Sequence, residues 1–254
     1  MKLQMKFLCG LGALALAGQA SAGTTWVLGP TPSTGVAVSG VSNTGGTDTA
    51  GSTANNAATQ TIQAATSVWY SGGVGISNAD ACSSGTYCDV TEGTSPEHSI
   101  DNNQRYDMVL LTFDSLVKLT DMLLGWWQTD SDVTVMAYTG AGTPTLIGKT
   151  YDQLGGSGWA NIGNYSDLGT NSKAINAGGV VSSYWLIGAY NPLANPNGGS
   201  VTGTSSDYVK LYSVSGVVVP PPPPSRVPEP GSLALAGAAL LAALGIRRRQ
   251  TQKQ

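Results

Sequence analysis

Charge is scarce in this chain, and histidine and cysteine are scarcer. Only 11% of its 254 residues are charged, and His98 is the single histidine. One histidine excludes a multi-histidine zinc site. It leaves a hydrolytic triad with a single possible base, and no G-x-S-x-G elbow surrounds the nearby Ser95 or Ser99. His98 is expected instead to cap a turn or to pack at a strand start. Glycosidase chemistry needs two carboxylates at a set separation, which linear spacing does not define. No catalytic motif is present, and the chain is read as non-enzymatic. Long amphipathic helical periodicity is also missing, which argues against a helical bundle.

The N-terminus shows what is there. Lys2 and Lys6 precede a short apolar run, Phe7 to Gly18, and Ala20-Ser21-Ala22 is a small-residue cleavage site. This is the pattern of a secretory signal peptide over residues 1–22, cut after Ala22 by signal peptidase. Cys9 stands too early, and without the small residues expected before it, to be a lipidation site. The exported part, residues 23–219, keeps five basic residues against fourteen acidic ones, a net charge of −9. Such a surface is a poor partner for nucleic acid and a better one for divalent cations or neutral glycans. Cys82 and Cys88 are the only cysteines left after the signal, an even count in an oxidising compartment. They are expected to form a disulfide closing a small loop.

About 190 residues can build one domain with a real core. Its texture is β. Apolar runs of strand length recur at 66–70, 106–113, 117–127, 132–138, 145–149, 182–190 and 207–214, separated by Gly, Asn, Asp and Ser. In 132–138, Val133, Val135 and Ala137 oppose Thr134, Met136 and Tyr138. The expectation is an all-β fold, an antiparallel β-sandwich of jelly-roll type, over residues 23–215. Residues 29–66 are nearly uncharged and Thr/Gly/Ser-rich, with one edge strand expected at 35–41 and a long loop beyond it.

The chain then changes character. A Pro-rich linker, 216–227, contains Pro220 to Pro224, a stiff extended spacer of about 15 Å. Gly231 to Ile246 carries no charge, and as a helix would be about 24 Å long, at the lower limit for a membrane span. Arg247, Arg248 and Arg249 follow and would stop transfer, leaving 250–254 as a cytoplasmic tail.

Pro228-Glu229-Pro230, the short apolar helix and the terminal arginines resemble, in that order, the PEP-CTERM sorting signal. Residues 95–140 and 182–191 are similar to exosortase-dependent surface proteins. The resemblance implies recognition by the membrane enzyme exosortase and cleavage near Pro228-Glu229-Pro230. It implies transient inner-membrane anchoring, then release to the cell surface or extracellular matrix of an exopolysaccharide-producing cell. It brings no catalytic motif with it.

Two kinds of ligand site remain open. Ten of the fourteen exported acids lie between Asp80 and Asp132. Glu97, Asp101, Asp107, Asp130 and Asp132 are candidate ligands for one Ca²⁺, with Asn102 among them, because oxygen-rich β-loops suit that ion. The competing reading is ordinary turn chemistry, for which Asp and Asn are equally apt. For glycans, the adjacent Trp126 and Trp127 put one ring in and one out on a strand, and the outward one is the stacking candidate. The reading favoured is an exported, non-enzymatic surface or matrix protein in a biofilm setting, with extracellular polysaccharide as the expected partner. The alternatives are a carbohydrate-binding module, calcium-dependent or not, and an ice-binding protein. The last needs a regular threonine array that residues 44–66 lack.

Overall fold

The computed structural model describes residues 22–45, 60–78, 98–194, 201, 206–221 and 234–242. Within them the chain forms eleven strands: β1 Thr24–Val27, β2 Val36–Gly45, β3 Thr61–Tyr70, β4 Gly73–Ser77, β5 Ile100–Asp101, β6 Asp107–Thr129, β7 Val133–Tyr138, β8 Trp159–Tyr165, β9 Lys173–Ala174, β10 Ser182–Ala189 and β11 Asp207–Val218. Two short 3₁₀ turns, Tyr151–Gln153 and Gly155–Ser157, lie between β7 and β8.

The all-β, antiparallel class is as expected, but the strands form one hydrogen-bonded network in place of two separate sheets. The path runs β1-β11-β4-β3-β2-β6-β10-β7-β8, and an additional β11–β6 pairing closes β11, β4, β3, β2 and β6 into a barrel. The cause is the length of β6. Sequence analysis divides 106–113 from 117–127 at Asp114-Ser115-Leu116. Those three residues are exposed, yet the strand bends there and runs on, 23 residues in all. Its first half pairs with β2 and β10, and its second half pairs with β11 from Val117 to Thr129.

Register shifts let the bent strand stay apolar inward. Val109, Leu111, Phe113, Val117 and Leu119 face one core. Thr120 is then an extra residue opposite the Ser215/Gly216 step, so the inward set becomes Met122 and Leu124. That core fills the space between the two halves of β6, with Trp185, Ile187, Val133 and Val135 from the neighbouring strands. A second core lies on the other face of the β6–β10–β7 sheet. There Met108, Leu186 and Met136 pack under Leu146, Tyr151 and Leu154 of the β7–β8 connection. The alternation expected in 132–138 is present, but both of its faces are covered, which is why all of β7 except Tyr138 is buried.

Other expectations shift for physical reasons. The strand expected at the edge, 35–41, becomes β2 and lies between β3 and β6, and it is buried on both faces from Gly40 to Asn43, polar Ser42 and Asn43 included. Residues 145–149 are not a strand and turn at Ile147-Gly148, with Gly148 at φ 82. Strand pairing runs through Val218, past the expected boundary at 215, because Gly216, Val217 and Val218 pair with Leu119, Lys118 and Val117. The compact unit extends to Pro220, and Pro221–Gln254 form a second. In that second unit residues 234–242 are helical and exposed. No helix among the described residues is long and apolar enough to cross a membrane. Residues 1–21 of the expected signal peptide, Cys82, Cys88, Pro228-Glu229-Pro230 and Arg247 to Arg249 lie outside the described residues.

Gly73 marks a close backbone approach in the barrel wall. Its φ is +117, and a Cβ there would overlap the backbone carbonyl of Leu211 on β11. This is the point where β4 meets β11, through Leu211 and Val74. Gly73→Ala combines backbone strain with a backbone clash and is expected to cost about 3 kcal/mol. For a domain of this size that is a melting midpoint lowered by roughly 6–12 °C, readable by thermal unfolding.

Candidate metal centre

Five chain segments converge where β6 ends and β11 begins. Thr129 closes β6 in a left-handed conformation, φ 64, which turns the chain sharply into Asp130-Ser131-Asp132 before β7. Asp207 opens β11 opposite Thr129, and Asp130 forms an isolated bridge with it. One carboxylate oxygen from each of Asp130, Asp132 and Asp207 lies within 4.8 Å of the other two. Asp132 and Asp207 are buried, at 2% exposure each.

The cluster is held by hydrogen bonds from its surroundings. Asp207 Oδ1 accepts the Asp132 N–H at 2.7 Å, and its Oδ2 accepts the Asn102 amide at 2.6 Å. Asn102 also donates to Tyr190 O at 3.0 Å and accepts the Asp207 N–H at 2.8 Å, so it clamps β11 to the end of β10. Asp132 Oδ1 accepts the Asp167 N–H and Asp130 Oδ1 the Ser131 N–H, both at 2.8 Å. These contacts leave Oδ2 of Asp130 and of Asp132 without a hydrogen bond among the described residues.

Three carboxylates this close repel one another. Burial pushes the Asp207 carboxyl up from 3.8 to about 7. The charges of Asp132 and Asp130 add to the rise, and the hydrogen bonds from Asp132 N–H and Asn102 offset part of it. Asp132 is also raised, first by burial and then by Asp130 and Asp167, against the Asp167 N–H. Such a group either holds a proton or holds a cation. Its donors are all oxygen, which suits hard ions such as Ca²⁺ and not thiolate- or imidazole-seeking ones.

Of the candidate ligands, Asp130 and Asp132 come together here. Asp101 sits next door, but its carboxylate serves a turn, accepting Ser99 Oγ and the Asn103 N–H at 3.0 Å each. Asp107 is fully buried at the start of β6, opposite Ser42 of β2, and is not in the group. Its charge adds to the burial that raises the Tyr151 phenol well above its usual range. Glu97 lies outside the described residues. His98 occupies a left-handed turn just before β5, φ 47.

Sequence reasoning missed Asp207, which stands 75 residues beyond Asp132. Its signal was its place as first residue of the apolar run 207–214, since β-strand ends are where loops supply ligands.

The aromatic pair divides as a strand requires. Trp127 is the outward ring, 43% exposed. Trp126 is half-buried, and Lys210 Nζ stands 5.0 Å from its ring and 3.5 Å from that of Tyr70. Trp127 neighbours the acids: a Cβ on Gly169 would lie 3.9 Å from its indole nitrogen, and the Gly169 N–H donates to Ser131 Oγ at 3.0 Å.

The other end of the chain decides its address. Residues 226–249 match the PEP-CTERM protein-sorting motif. The chain carries an exosortase sorting signal. No curated protein and no solved structure matches it. The PEP-CTERM match places Pro228-Glu229-Pro230 and Arg247 to Arg249 inside the motif and makes this an exported protein processed by exosortase.

The raised Asp207 carboxyl has a direct consequence for stability. With cations chelated, the folded state keeps that proton to about pH 7 and the unfolded state only to 3.8. Its stabilising contribution is complete below the unfolded value and is lost as pH rises through the folded one. The thermal midpoint in chelator is expected to fall as pH rises from 5 to 8. Asp207→Asn is expected to flatten that fall, and a variant as pH-sensitive as the parent would contradict the assignment.

Proposed function

We propose that this protein is a non-enzymatic component of the cell surface or extracellular matrix of a biofilm-forming cell. The observation that carries this is the sorting motif at 226–249 behind a compact all-β domain. In this reading signal peptidase cuts after Ala22, and the apolar stretch and arginines hold the chain transiently in the inner membrane. Exosortase then cleaves near Pro228-Glu229-Pro230. The barrel is the delivered part. Mass spectrometry of protein recovered from the medium or surface is expected to give a C-terminus near residue 230. Intact chain ending at Gln254 in cells with active exosortase would overturn the reading.

A second reading has a specific observation in its favour: Asp130, Asp132 and Asp207 converge beside the exposed Trp127. A Ca²⁺ held by the three carboxylates, with water completing its shell, would orient neighbouring sugar hydroxyls, and the indole face would stack on the ring. Calcium-dependent binding of neutral polysaccharide fits both features. The carboxylates must be ionised to ligate, so calcium would displace the proton that Asp207 otherwise keeps. At a hundredfold excess over its Kd the ion would stabilise the domain by about 2.7 kcal/mol. Millimolar CaCl₂ is expected to raise the melting midpoint by roughly 5–10 °C beyond NaCl of equal ionic strength. Identical curves in the two salts would mean that the acids only serve turns.

A further inference from the structure

Sheets that end in an exposed strand offer unpaired backbone groups to any second strand, and proteins normally guard such edges. The path of strands here has two ends among the described residues, β1 and β8. β1 is only four residues long, which is itself a guard. β8 is seven residues long, Trp-Ala-Asn-Ile-Gly-Asn-Tyr, and contains no lysine, no proline and no charge. All of it except Trp159 is partly exposed. It pairs with β7 on one side, and no strand lies beyond it among the described residues. Its outward donors can be identified. The Trp159 N–H bonds to Leu154 O and not to β7. By the alternation of an antiparallel ladder the Asn161 N–H points the same way, away from β7.

Electrostatics selects this side for self-association. The exported domain has five basic and fourteen acidic residues, so most contacts between two copies bring like charges together. The strands leading to this edge are an exception: β10, β7 and β8 carry no charged residue. We propose that β8 is the docking edge for a second copy of this chain, the two β8 strands pairing antiparallel across a two-fold axis. Antiparallel pairing of a strand with itself is isologous, so the contact closes as a dimer and does not propagate. The bulge that leaves Ile162 unpaired with β7 interrupts the edge once and restricts the strands to one register. In the dimer the run β2-β6-β10-β7-β8 continues into its copy as one sheet.

Edge pairing buries little side-chain area, so association is expected at roughly 10–100 μM, in the weak class of interfaces. Sedimentation of protein released into the medium, from about 5 to 500 μM, is expected to show mass rising to twice that of one chain. Asn161→Pro removes an edge donor without removing a bond to β7, and Asn161→Lys adds the charge that guarded edges carry. Each is expected to weaken association at least tenfold while the far-ultraviolet circular dichroism stays that of the parent. Should either variant unfold, hydrogen exchange of the parent decides, with the Asn161 amide slowing as concentration rises. A single-chain mass at the highest concentration, a dimer unchanged in folded variants, or concentration-dependent protection confined to another strand would each overturn the proposal.

Discussion

The pairing of β11 with the second half of β6 is the constraint on which the rest depends. It joins the last strand of the domain to the longest one, from Asp207 opposite Thr129 to Val218 opposite Val117. Without it, the path of strands would stay an open sheet. With it, the two halves of β6 face each other across a single core, and Val109 and Leu124 belong to the same cluster. The same pairing lays Asp207 beside Asp130, so the acid cluster follows from barrel closure and not from any local motif.

Closure also explains how so much negative charge is tolerated. The register of β11 with β5 and β6, and of β10 with β6 and β7, puts Asp101, Asp107, Asp130, Asp132 and Asp207 at one end of the domain. Each is at a strand terminus, where backbone N–H groups without ladder partners are available. The carboxylates of Asp101, Asp130, Asp132 and Asp207 accept such groups. Satisfying a terminus and burying a charge are here the same act; burial first, and then the repulsion between the carboxylates, raises Asp207 and Asp132.

Much of this could be read from the chain alone. The apolar runs at 66–70, 132–138, 182–190 and 207–214 match strands to within one residue, because period-two alternation and flanking turn residues are local signals. The sorting tail was legible for the same reason, being a short motif in a fixed order. What failed was non-local. A bend and a break look alike at Asp114-Ser115-Leu116, since both need exposed residues and only the partner strand distinguishes them. β2 looked like an edge because it stands in a Thr/Gly/Ser-rich stretch, whereas it is buried from Gly40 to Asn43. Asp207 was invisible as a ligand because its neighbours are set by register with a strand some 80 residues away. β8 was passed over because Ala, Asn and Gly dilute its apolar pattern.

The course of β11 has a mechanical consequence. The strand enters the domain at the acid cluster and leaves it at Val218, twelve residues and about 40 Å later, on the way to the sorting signal. A chain gripped at its C-terminus and pulled at its far end is therefore loaded along β11. Its bonds to β6 run the whole length of the strand, with β1, β4 and β5 joined to it at intervals. Under tension these bonds share the force in shear instead of parting one at a time as in a zipper. Thr24 of β1 is seated beside Gly216, so β1 begins at the end of β11 from which the chain leaves the domain.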